Sequence, residues 1–333
     1  MKHINIALFV VHKGCPHMCS FCNQRSISGS QKEITAQDVH SAAQRAIESL
    51  SESTAAGGEI AFFGGSFTMV ERSYMISLLE AAYEYVAKGI FKGIRISTRP
   101  DGISREICEI LKKYGVTSVE LGTQSLDDRV LMLNERGHSA AQVAKACKLL
   151  KEYGFETGLQ MMTGLYGSED ADSIATAEKI IALKPDTVRI YPTVVIKNTR
   201  LYELMLNGEF VPKGIPETVE LCSKLIPLFE NAGIKIIRVG LHSGGGVEGD
   251  FAGGAYHPAL RELCEGRIYY NYVLGELEKL GEGSYTLYVS PTEISKMVGQ
   301  KKQNLTQLRN LGYNCTVKGK DGLRKYEAEI HKG

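Results

Sequence analysis

The sequence predicts an α/β fold, in which six strand–helix units form a partial barrel and a small α+β domain follows at the C-terminus. Short apolar runs rich in Val, Ile and Phe alternate with longer segments of helical period through most of the chain. This alternation is typical of parallel strands whose connecting helices pack outside the sheet. The last part of the chain has a different pattern, with strands that flank two short helices.

Six apolar runs carry the strand prediction, since each has the length of a strand and is bounded by turn residues. In chain order they are "INIALFVV" (4–11), "EIAFF" (59–63), "GIRIST" (93–98), "VTSVELGTQ" (116–124), "ETGLQMMTGL" (156–165) and "DTVRIYPTVV" (186–195). Six such units would make a (β/α)6 arrangement, part of a TIM-like barrel, whose functional groups lie at the carboxyl ends of the strands.

The segments between the runs carry helix signals at their ends. The segment "TAQDVHSAAQRAIESL" opens with a capping box formed by Thr35 and Asp38. Two others, "REICEILKKYG" and "AAQVAKACKLLKEYG", end in the glycine that commonly follows a helix. We therefore expect helices at all three places.

We expect three parts in the chain: a barrel over 1–240, a glycine-rich connecting loop and helix over 241–284, and a small basic domain over 285–333. One further strand, over 235–243, precedes the glycine-rich loop. The last part predicts a strand, a helix–loop–helix, a second strand, a turn at 320–322 and a final strand.

Charge is distributed unevenly, although the net charge is only +1. Residues 285–333 hold nine Lys or Arg and four Asp or Glu, whereas residues 1–284 hold 30 basic and 34 acidic side chains. A basic segment beside a slightly acidic body indicates a polyanionic partner. On charge alone, a merely soluble surface explains it equally well.

The N-terminal apolar run is too short to span a bilayer, and no small-residue cleavage site follows it. Nothing else in the sequence has the length and apolarity of a membrane span, so we expect a cytoplasmic protein with no membrane association. In a reducing compartment, clustered cysteines favour a metal site or catalysis over disulfides.

Three of the eight cysteines lie together after the first strand, in "CPHMCSFC". Cys15, Cys19 and Cys22 have the spacing C-x3-C-x2-C, and no fourth cysteine follows nearby. Three thiolates on a [4Fe–4S] cluster leave one iron without a protein ligand, and that iron can bind a substrate or cofactor through an amino group and a carboxylate. A zinc knuckle completed by His12 or His17, or a chance cluster, would contain the same cysteines.

Polar or glycine-rich loops follow the next strands in the same way. "GGSFT" (64–68) follows the second run, "TRPDG" (98–102) follows the third, and Gln124 ends the fourth. Because the carboxyl ends of parallel strands share one edge, we expect these groups to lie close to the cysteines. Each motif alone could equally be a tight turn or an ordinary strand-end amide.

"CPHMCSFC" after the first strand of such a barrel resembles the signature of the radical S-adenosylmethionine (SAM) superfamily. The resemblance implies a [4Fe–4S] cluster bound by Cys15, Cys19 and Cys22, with SAM held on the open iron. It also implies catalysis in which an electron from the cluster cleaves SAM to methionine and a 5′-deoxyadenosyl radical. A flavodoxin or ferredoxin-like electron donor is the reducing partner that this chemistry implies.

The same resemblance implies which residues hold SAM. "FFGGSFT" matches a glycine pair that holds the methionine amino group, "ISTRPD" matches a third-strand position with polar contacts, and "LGTQSLDDRVLMLNERGH" contains a glutamine and an arginine that reach SAM. The aromatic residue of the cysteine motif would shield the cluster from water. The implied cofactor-binding residues are Phe21, Gly64, Gly65, Ser66, Thr68, Ser97, Thr98, Gln124 and Arg136.

Within the superfamily, four strings resemble the elongator catalytic subunit family: "STRPD", "VELGTQS", "MMTGLYG" and "VRIYPTVVIKNTRLYELMLNGEF". The likeness covers roughly residues 1–240. That family acts on the wobble uridine of transfer RNA (tRNA), so the resemblance implies a tRNA partner. The family continues into an acetyltransferase domain, for which this sequence has no room before Gly333, so acetyl-CoA is not expected as a second substrate.

The tail string "SPTEISKMVGQKKQNLTQLRNLG" resembles a KH-type nucleic-acid module, whose G-x-x-G loop clamps the sugar–phosphate backbone. Here the loop is "GQKK", with lysine in place of the second glycine. The residues implied to bind RNA are Lys296, Lys301, Lys302 and Arg309. The alternative is a small α+β domain with a solvated lysine face.

Three functions are open on this evidence. The first is a radical SAM enzyme that modifies an RNA base, with a tRNA uridine as the expected target. The second is an enzyme of the same superfamily that acts on a small molecule, as the oxygen-independent porphyrinogen oxidases do. The third is a non-catalytic RNA-binding protein whose metal centre is structural.

Overall fold

A computed structural model describes residues 4–10, 14–16, 18–29, 32–241 and 247–333. The strands are β1 Asn5–Val10, β2 Glu59–Gly64, β3 Gly93–Thr98, β4 Val116–Gln124, β5 Glu156–Thr163, β6 Thr187–Pro192, β7 Val194–Ile196, β8 Lys235–Val239, β9 Phe251–Gly254, β10 Gly283–Val289, β11 Tyr313–Gly319 and β12 Glu329–Lys332. The helices are α1 Gln24–Ser28, α2 Ala36–Ser49, α3 Glu52–Ala55, α4 Arg72–Ala87, α5 Arg105–Lys113, α6 Asp128–Leu133, α7 Ala140–Glu152, α8 Asp170–Ala182, α9 Arg200–Leu206, α10 Ile215–Asn231, α11 Val247–Asp250, α12 Leu260–Leu280, α13 Ile294–Val298 and α14 Gln303–Asn310.

In the described part of the chain, seven parallel strands form one sheet in the order β1-β2-β3-β4-β5-β6-β8, which curls into a half-barrel. Each of the first five strands pairs with the next one along the sequence, as consecutive strand–helix units do. The predicted α/β fold with a partial barrel is therefore confirmed. The further strand expected after the sixth unit is β8, which pairs with β6 and extends the same sheet.

The chain divides into two compact units, one of residues 1–213 with 229–255 and one of residues 214–228 with 256–333. The half-barrel belongs to the first unit. In the second unit, β10 lies between β11, to which it is parallel, and β12, to which it is antiparallel. The helices of this unit bury a core with the sheet that includes Tyr269, Val273, Leu287, Met297 and Leu308. The order of elements predicted for the tail is confirmed.

The helix ends follow the signals in the sequence. In the capping box of α2, the Asp38 N–H donates to Thr35 Oγ1 at 3.3 Å and the Thr35 N–H donates to Asp38 Oδ2 at 2.8 Å. Gly115 and Gly154, which follow α5 and α7, have φ values of +69° and +67°. Within the described ranges, no helix is long and apolar enough to cross a membrane.

The strand predicted over 186–195 is instead two strands. β6 ends at Pro192, which has no N–H to continue the sheet, and β7 pairs antiparallel with β9. In β9, Gly254 has a φ of +98°, and a Cβ at this position would lie 2.6 Å from the carbonyl oxygen of Thr193. The glycine-rich segment expected to be a loop over 243–263 thus contains a strand whose glycines permit close approach to β7.

Successive side chains of each strand alternate between the two faces of the sheet. On one face of β3, Ile94 and Ile96 are fully buried, as expected for a sheet covered by helices. The inner face of the half-barrel is polar, since it carries Arg95 and Ser97 from β3 and Glu120 from β4. These inner side chains are also almost completely buried, so they need partners.

The partners are charges from neighbouring strands, which form a chain of ion pairs inside the half-barrel. Arg95 contacts Glu59 at 2.8 Å, Glu120 at 3.2 Å and Glu156 at 2.7 Å. Arg189 donates two hydrogen bonds to Glu120, at 2.6 and 2.8 Å. Since these residues lie on β2, β3, β4, β5 and β6, the ion chain crosses five adjacent strands.

Glu120 remains ionised at the centre of this chain. Burial opposes its negative charge, but the hydrogen bonds and positive charge of Arg189, together with the charge of Arg95, hold its pKa below the ordinary value. A carboxylate in this position is stable only while both guanidinium groups stay in place. Each guanidinium in turn depends on Glu120, because loss of the carboxylate would take a partner from a buried positive charge.

Replacement of Glu120 by Leu should therefore be strongly destabilising. The variant leaves Arg95 and Arg189 without their shared carboxylate, which should lower the free energy of unfolding by about 3–5 kcal/mol. The matched control is Glu152→Leu, which removes the partner of exposed Arg105 in a surface pair of 3.6 Å and should cost at most about 1 kcal/mol. Urea unfolding followed by circular dichroism measures both, because the chain has no tryptophan. Equal midpoints for the two variants would contradict the prediction.

Candidate active site

The three cysteines lie in a loop over 14–22, here called the cysteine loop, which follows β1 and packs beside the turn after β2. At its start, Gly14 has a φ of +73°, and a Cβ there would lie 2.1 Å from the carbonyl oxygen of Ser66. No other residue type fits so close to that backbone, so glycine is required at this position. At its end, the Cys22 N–H donates to the Cys19 carbonyl oxygen at 3.0 Å and closes a tight turn.

Phe21 fixes the cysteine loop to a small apolar cluster. Phe21 packs against a cluster that includes Val195, Leu201 and Phe210, which are buried residues of the segment that follows β6. The Leu201 N–H donates to the Ser20 carbonyl oxygen at 2.7 Å, so the same segment also holds the loop backbone. Shielding of a cluster by Phe21 stays a prediction, whereas these contacts give the ring a role as an anchor.

The three thiols are close enough to affect one another. Burial raises the pKa of Cys22 to about 12, with a further contribution from the neighbouring Cys19 and Cys15 thiols. Burial and then Cys19 also raise the pKa of Cys15, against the opposing positive charges of Arg99 and Arg136. Metals bind the thiolate, so binding of a metal centre here must displace the thiol protons.

The donor set suits an iron–sulfur cluster. In a [4Fe–4S] cluster each cysteine ligates a different iron, so the thiolates need not meet at one point. Among the residues that the structure describes, no three His, Cys, Asp or Glu side chains are placed to hold a single metal ion. His12 and His17, the possible fourth ligands of a zinc knuckle, lie outside the described residues.

The glycine pair after β2 is held against the end of β1. Gly64 has a φ of +104°, and a Cβ there would lie 3.0 Å from the Val10 carbonyl oxygen. The Gly65 N–H donates to the same oxygen at 2.7 Å. Since Val10 immediately precedes the segment that leads into the cysteine loop, the glycine pair and the cysteines are neighbours, as the sequence predicted.

The hydroxyl groups of the two following loops form a buried network. Thr98 Oγ1 lies 2.9 Å from Ser66 Oγ and 2.7 Å from Thr68 Oγ1, and Thr68 donates to the Gly102 carbonyl oxygen at 2.7 Å. The Arg99 N–H donates to Ser66 Oγ at 3.2 Å. These contacts join the loop after β2 to the loop after β3, and direct contact of the hydroxyls with SAM stays a prediction.

Several buried polar atoms at this edge have no hydrogen-bond partner in the described part of the chain. They are Gln124 Oε1, Arg136 Nε, Arg99 Nη1 and His138 Nδ1. Gln124 also has a φ of +63°, a left-handed conformation that non-glycine residues seldom adopt. Unpaired buried polar atoms are costly, so this edge suits a polar ligand such as the amino and carboxylate groups of SAM.

Arg136 connects the end of β4 with the cysteine loop. Its Nη1 lies 3.0 Å from Cys19 Sγ, and its Nη2 donates to the carbonyl oxygen of Gly122. A Cβ on Gly122 would lie 3.2 Å from that nitrogen and 3.3 Å from the amide of Gln124. Because Gly122 has no side chain, Arg136 and Gln124, which are both predicted to contact SAM, can lie over the end of β4.

Ser97 contacts the ion chain through one intermediate residue. Gln160 Nε2 donates to Ser97 Oγ at 3.4 Å and to Glu120 Oε2 at 2.9 Å. Gln160 was not predicted as a site residue, and neither were Gly14, Asn134 and His138, which the structure also brings to this edge. Asn134 and His138 lay in a quoted motif, "NERGH", and Gln160 lay in the fifth strand run, but nothing in the sequence distinguished any of the four as a site residue.

The four residues predicted to bind RNA lie in the second unit, in two different environments. Lys301, Lys302 and Arg309 are exposed, on the loop between α13 and α14 and on α14 itself. Lys296 is held by Glu265 at 3.0 Å and by Glu293 at 2.8 Å, and its side chain is only 22% exposed. Lys301, Lys302 and Arg309 are therefore placed to contact a phosphate directly, whereas Lys296 would first have to leave its ion pairs.

Comparison with known protein families decides the class of this chain. The model described as Radical SAM superfamily matches residues 9–180, just over half of the chain, and that described as Radical_SAM C-terminal domain matches residues 185–270. The chain belongs to the radical SAM superfamily. The cysteine loop and the half-barrel are thus the signature and the core of a radical SAM enzyme.

Curated relatives of this radical SAM chain include tRNA uridine(34) acetyltransferase of Methanocaldococcus infernus, 39% identical over 131 residues, which are 38% of this chain and 24% of that protein. Elongator complex protein 3 of Homo sapiens is 33% identical over 152 residues, which are 44% of this chain and 28% of that protein. The chain thus spans about a quarter of the length of these relatives. The predicted resemblance to the elongator catalytic subunit family is confirmed.

A solved structure supports the fold. The archaeal Elp3 of Methanocaldococcus infernus, with an N-terminal deletion, superposes with a TM-score of 0.65 at 23% identity, over 82% of this chain and 63% of that chain. At this identity the likeness concerns the fold alone, and it agrees with the half-barrel described above.

His138 should make the radical SAM core less stable in acid. Burial, with the positive charges of Arg136 and Arg99, lowers its pKa from 6.5 to about 4. The unfolded chain therefore binds the proton more readily, and stability is lost as the pH falls from about 6.5 toward 4. Relative to His138→Gln, the wild type should lose about 2–3 kcal/mol of unfolding free energy between pH 7 and 4.5.

Urea unfolding at the two pH values measures this difference. The control is His331→Gln, at an exposed histidine of the second unit, which should follow the wild type. Parallel pH profiles for the wild type and His138→Gln would contradict the prediction.

Proposed function

We propose that this chain binds a [4Fe–4S] cluster through Cys15, Cys19 and Cys22 and uses it for reductive cleavage of SAM. The observation that carries the proposal is the position of the three-thiol loop, at the carboxyl edge of the half-barrel beside unpaired polar atoms of Gln124 and Arg136. When bound, the cluster supplies the electron that cleaves SAM. A flavodoxin or ferredoxin-like protein would deliver that electron to the cluster.

The chain's own residues would bind and orient SAM. Backbone atoms of Gly64 and Gly65 would contact the amino group of SAM, on a turn that can lie against Val10 because Gly64 has no Cβ. The guanidinium of Arg136 is one candidate for the carboxylate, since its Nε has no partner in the described part of the chain. Gln124 would contribute an amide contact from the end of β4, while Ser97 would contribute a hydroxyl from β3.

The buried surroundings would protect this chemistry. Arg136, Cys19 and Ser66 are each at most 7% exposed, and Cys15 and Cys22 are half-buried, so water has limited access to this part of the edge. Exclusion of water strengthens the charge interactions that orient a ligand and suppresses side reactions. The protein's part in the reaction is thus binding, orientation and exclusion of solvent.

The proposed substrate is a tRNA, with a uridine as the modified base, in the cytoplasm. The support is the class of the curated relatives, one of which is a tRNA uridine(34) acetyltransferase, and the basic loop of the second unit. That unit has the helix–loop–helix between strands that a KH-type module needs, with α13 and α14 separated by Gly299, Gln300, Lys301 and Lys302. Lysines on such a loop contact phosphates electrostatically and independently of base sequence.

Cluster binding and SAM cleavage can be tested with cysteine variants after anaerobic reconstitution. The wild type should hold about four irons per chain and form 5′-deoxyadenosine under dithionite. Cys22→Ser should lose the product entirely and most of the iron. The matched control, Cys108→Ser, changes a fully buried cysteine of α5 and should behave as the wild type. A wild type that holds iron but never forms 5′-deoxyadenosine would contradict the proposal.

tRNA binding can be tested with the double variant Lys301→Gln/Lys302→Gln. Each lost phosphate contact should reduce the slope of log Kd against log salt by about 1 and weaken binding of all tRNAs similarly. The control is Lys224→Gln/Lys279→Gln, which removes two exposed lysines of the same unit, 57% and 68% exposed. If both double variants bind tRNA with the wild-type slope, the loop does not contact RNA and a small-molecule substrate becomes the better hypothesis.

A further inference from the structure

Asn134, the residue after α6, is completely buried next to the cysteine loop. It contacts Ser20 twice: the Ser20 N–H donates to the Asn134 carbonyl oxygen at 3.2 Å, and Ser20 Oγ donates to Asn134 Oδ1 at 2.9 Å. Ser20 lies between the second and third cysteines and is 1% exposed. The backbone of Asn134 thus holds the loop backbone at Ser20, and its side chain holds the Ser20 hydroxyl.

The remaining polar atom of Ser20 is held from the opposite direction. Its carbonyl oxygen accepts the Leu201 N–H at 2.7 Å, so the N–H, the hydroxyl and the carbonyl of Ser20 all have partners. A residue fixed in this way cannot rotate without loss of buried hydrogen bonds. The positions of Cys19 and Cys22 on either side of it are restricted accordingly.

The amide of Asn134 is also oriented by two other segments. Its Nδ2 donates to the carbonyl oxygens of Val130 and Tyr166, both at 2.9 Å. Because both of these partners can only accept, the NH2 group must face them and the amide oxygen must face Ser20. Aspartate has almost the same shape, but it would place an oxygen against two carbonyls and cannot donate.

From this geometry we propose that Asn134 is a positioning residue for the metal centre, an inference that rests on the proposed function. It holds the Cys19–Cys22 turn in one place relative to α6 and to the loop after β5. The Arg136 guanidinium, two residues along, then lies against Cys19 Sγ at 3.0 Å. Two thiol groups and one cation are thus arranged before any iron binds, which favours retention of a cluster.

The experiment compares Asn134→Asp and Ser20→Ala with the wild type after reconstitution. The measurements are the rate at which a chelator removes iron, the EPR spectrum of the dithionite-reduced cluster, and the urea midpoint of the protein without iron. The matched control is Asn207→Asp, since Asn207 likewise follows a helix, α9, but is exposed.

Ser20→Ala removes one hydrogen bond to the amide and should release iron about fivefold faster than the wild type. Asn134→Asp should release iron about tenfold faster or more, with an altered EPR spectrum, whereas Asn207→Asp should match the wild type. If Asn134→Asp does not fold, the Ser20→Ala rate alone decides, because that variant leaves the other contacts intact. Wild-type iron release and EPR spectra in folded variants would overturn the inference.

The same samples separate this inference from the proposed function. A wild type that takes up no cluster would overturn both. A wild type that holds a cluster and cleaves SAM, with variants that retain iron equally well, would overturn only the role of Asn134.

Discussion

The charge of Glu120, buried inside the half-barrel, is the interaction on which the inner face depends. It accepts hydrogen bonds from Arg189 and Gln160 and pairs with Arg95, so β3, β4, β5 and β6 can align in only one register around it. A shift of any one strand would leave a buried charge without a partner, at a cost that few single contacts could offset. Through Gln160 the same carboxylate is connected to Ser97, so the floor of the site is fixed by electrostatics.

The loops above this floor are fixed by close backbone contact. Gly14 and Gly64 lie where a Cβ would collide with the carbonyl oxygens of Ser66 and Val10, and this proximity brings the cysteine loop and the glycine turn together. Such contacts need no side chain and leave the polar atoms of the edge available for a ligand. The edge can therefore be rigid and still have polar atoms available for a ligand, because ion pairs hold the strands and glycines let the loops pack closely.

The sequence predicted the elements whose signals are local. Apolar runs of strand length and capping residues such as Thr35 depend on neighbours in the chain, so the half-barrel and its cysteine edge could be expected. The separation of β7 and β9 from the main sheet could not, because it depends on contact between Thr193 and Gly254, which are distant in sequence. Asn134 and Gln160 were missed for the same reason: a buried amide has a role only through partners that the fold brings to it.

The loop of the second unit shows how strain can indicate function where sequence likeness is incomplete. Lys301 and Lys302 have φ values of +52° and +63°, and this left-handed conformation costs a lysine roughly 1–2 kcal/mol that glycine does not incur. A glycine at position 302 would match the G-x-x-G pattern and relieve the strain at that residue. The structure instead presents two adjacent exposed ammonium groups on a sharp turn, while nearby Lys296 is neutralised by Glu265 and Glu293. Strain at a charged loop tip agrees with the proposed contact of this loop with the phosphates of tRNA.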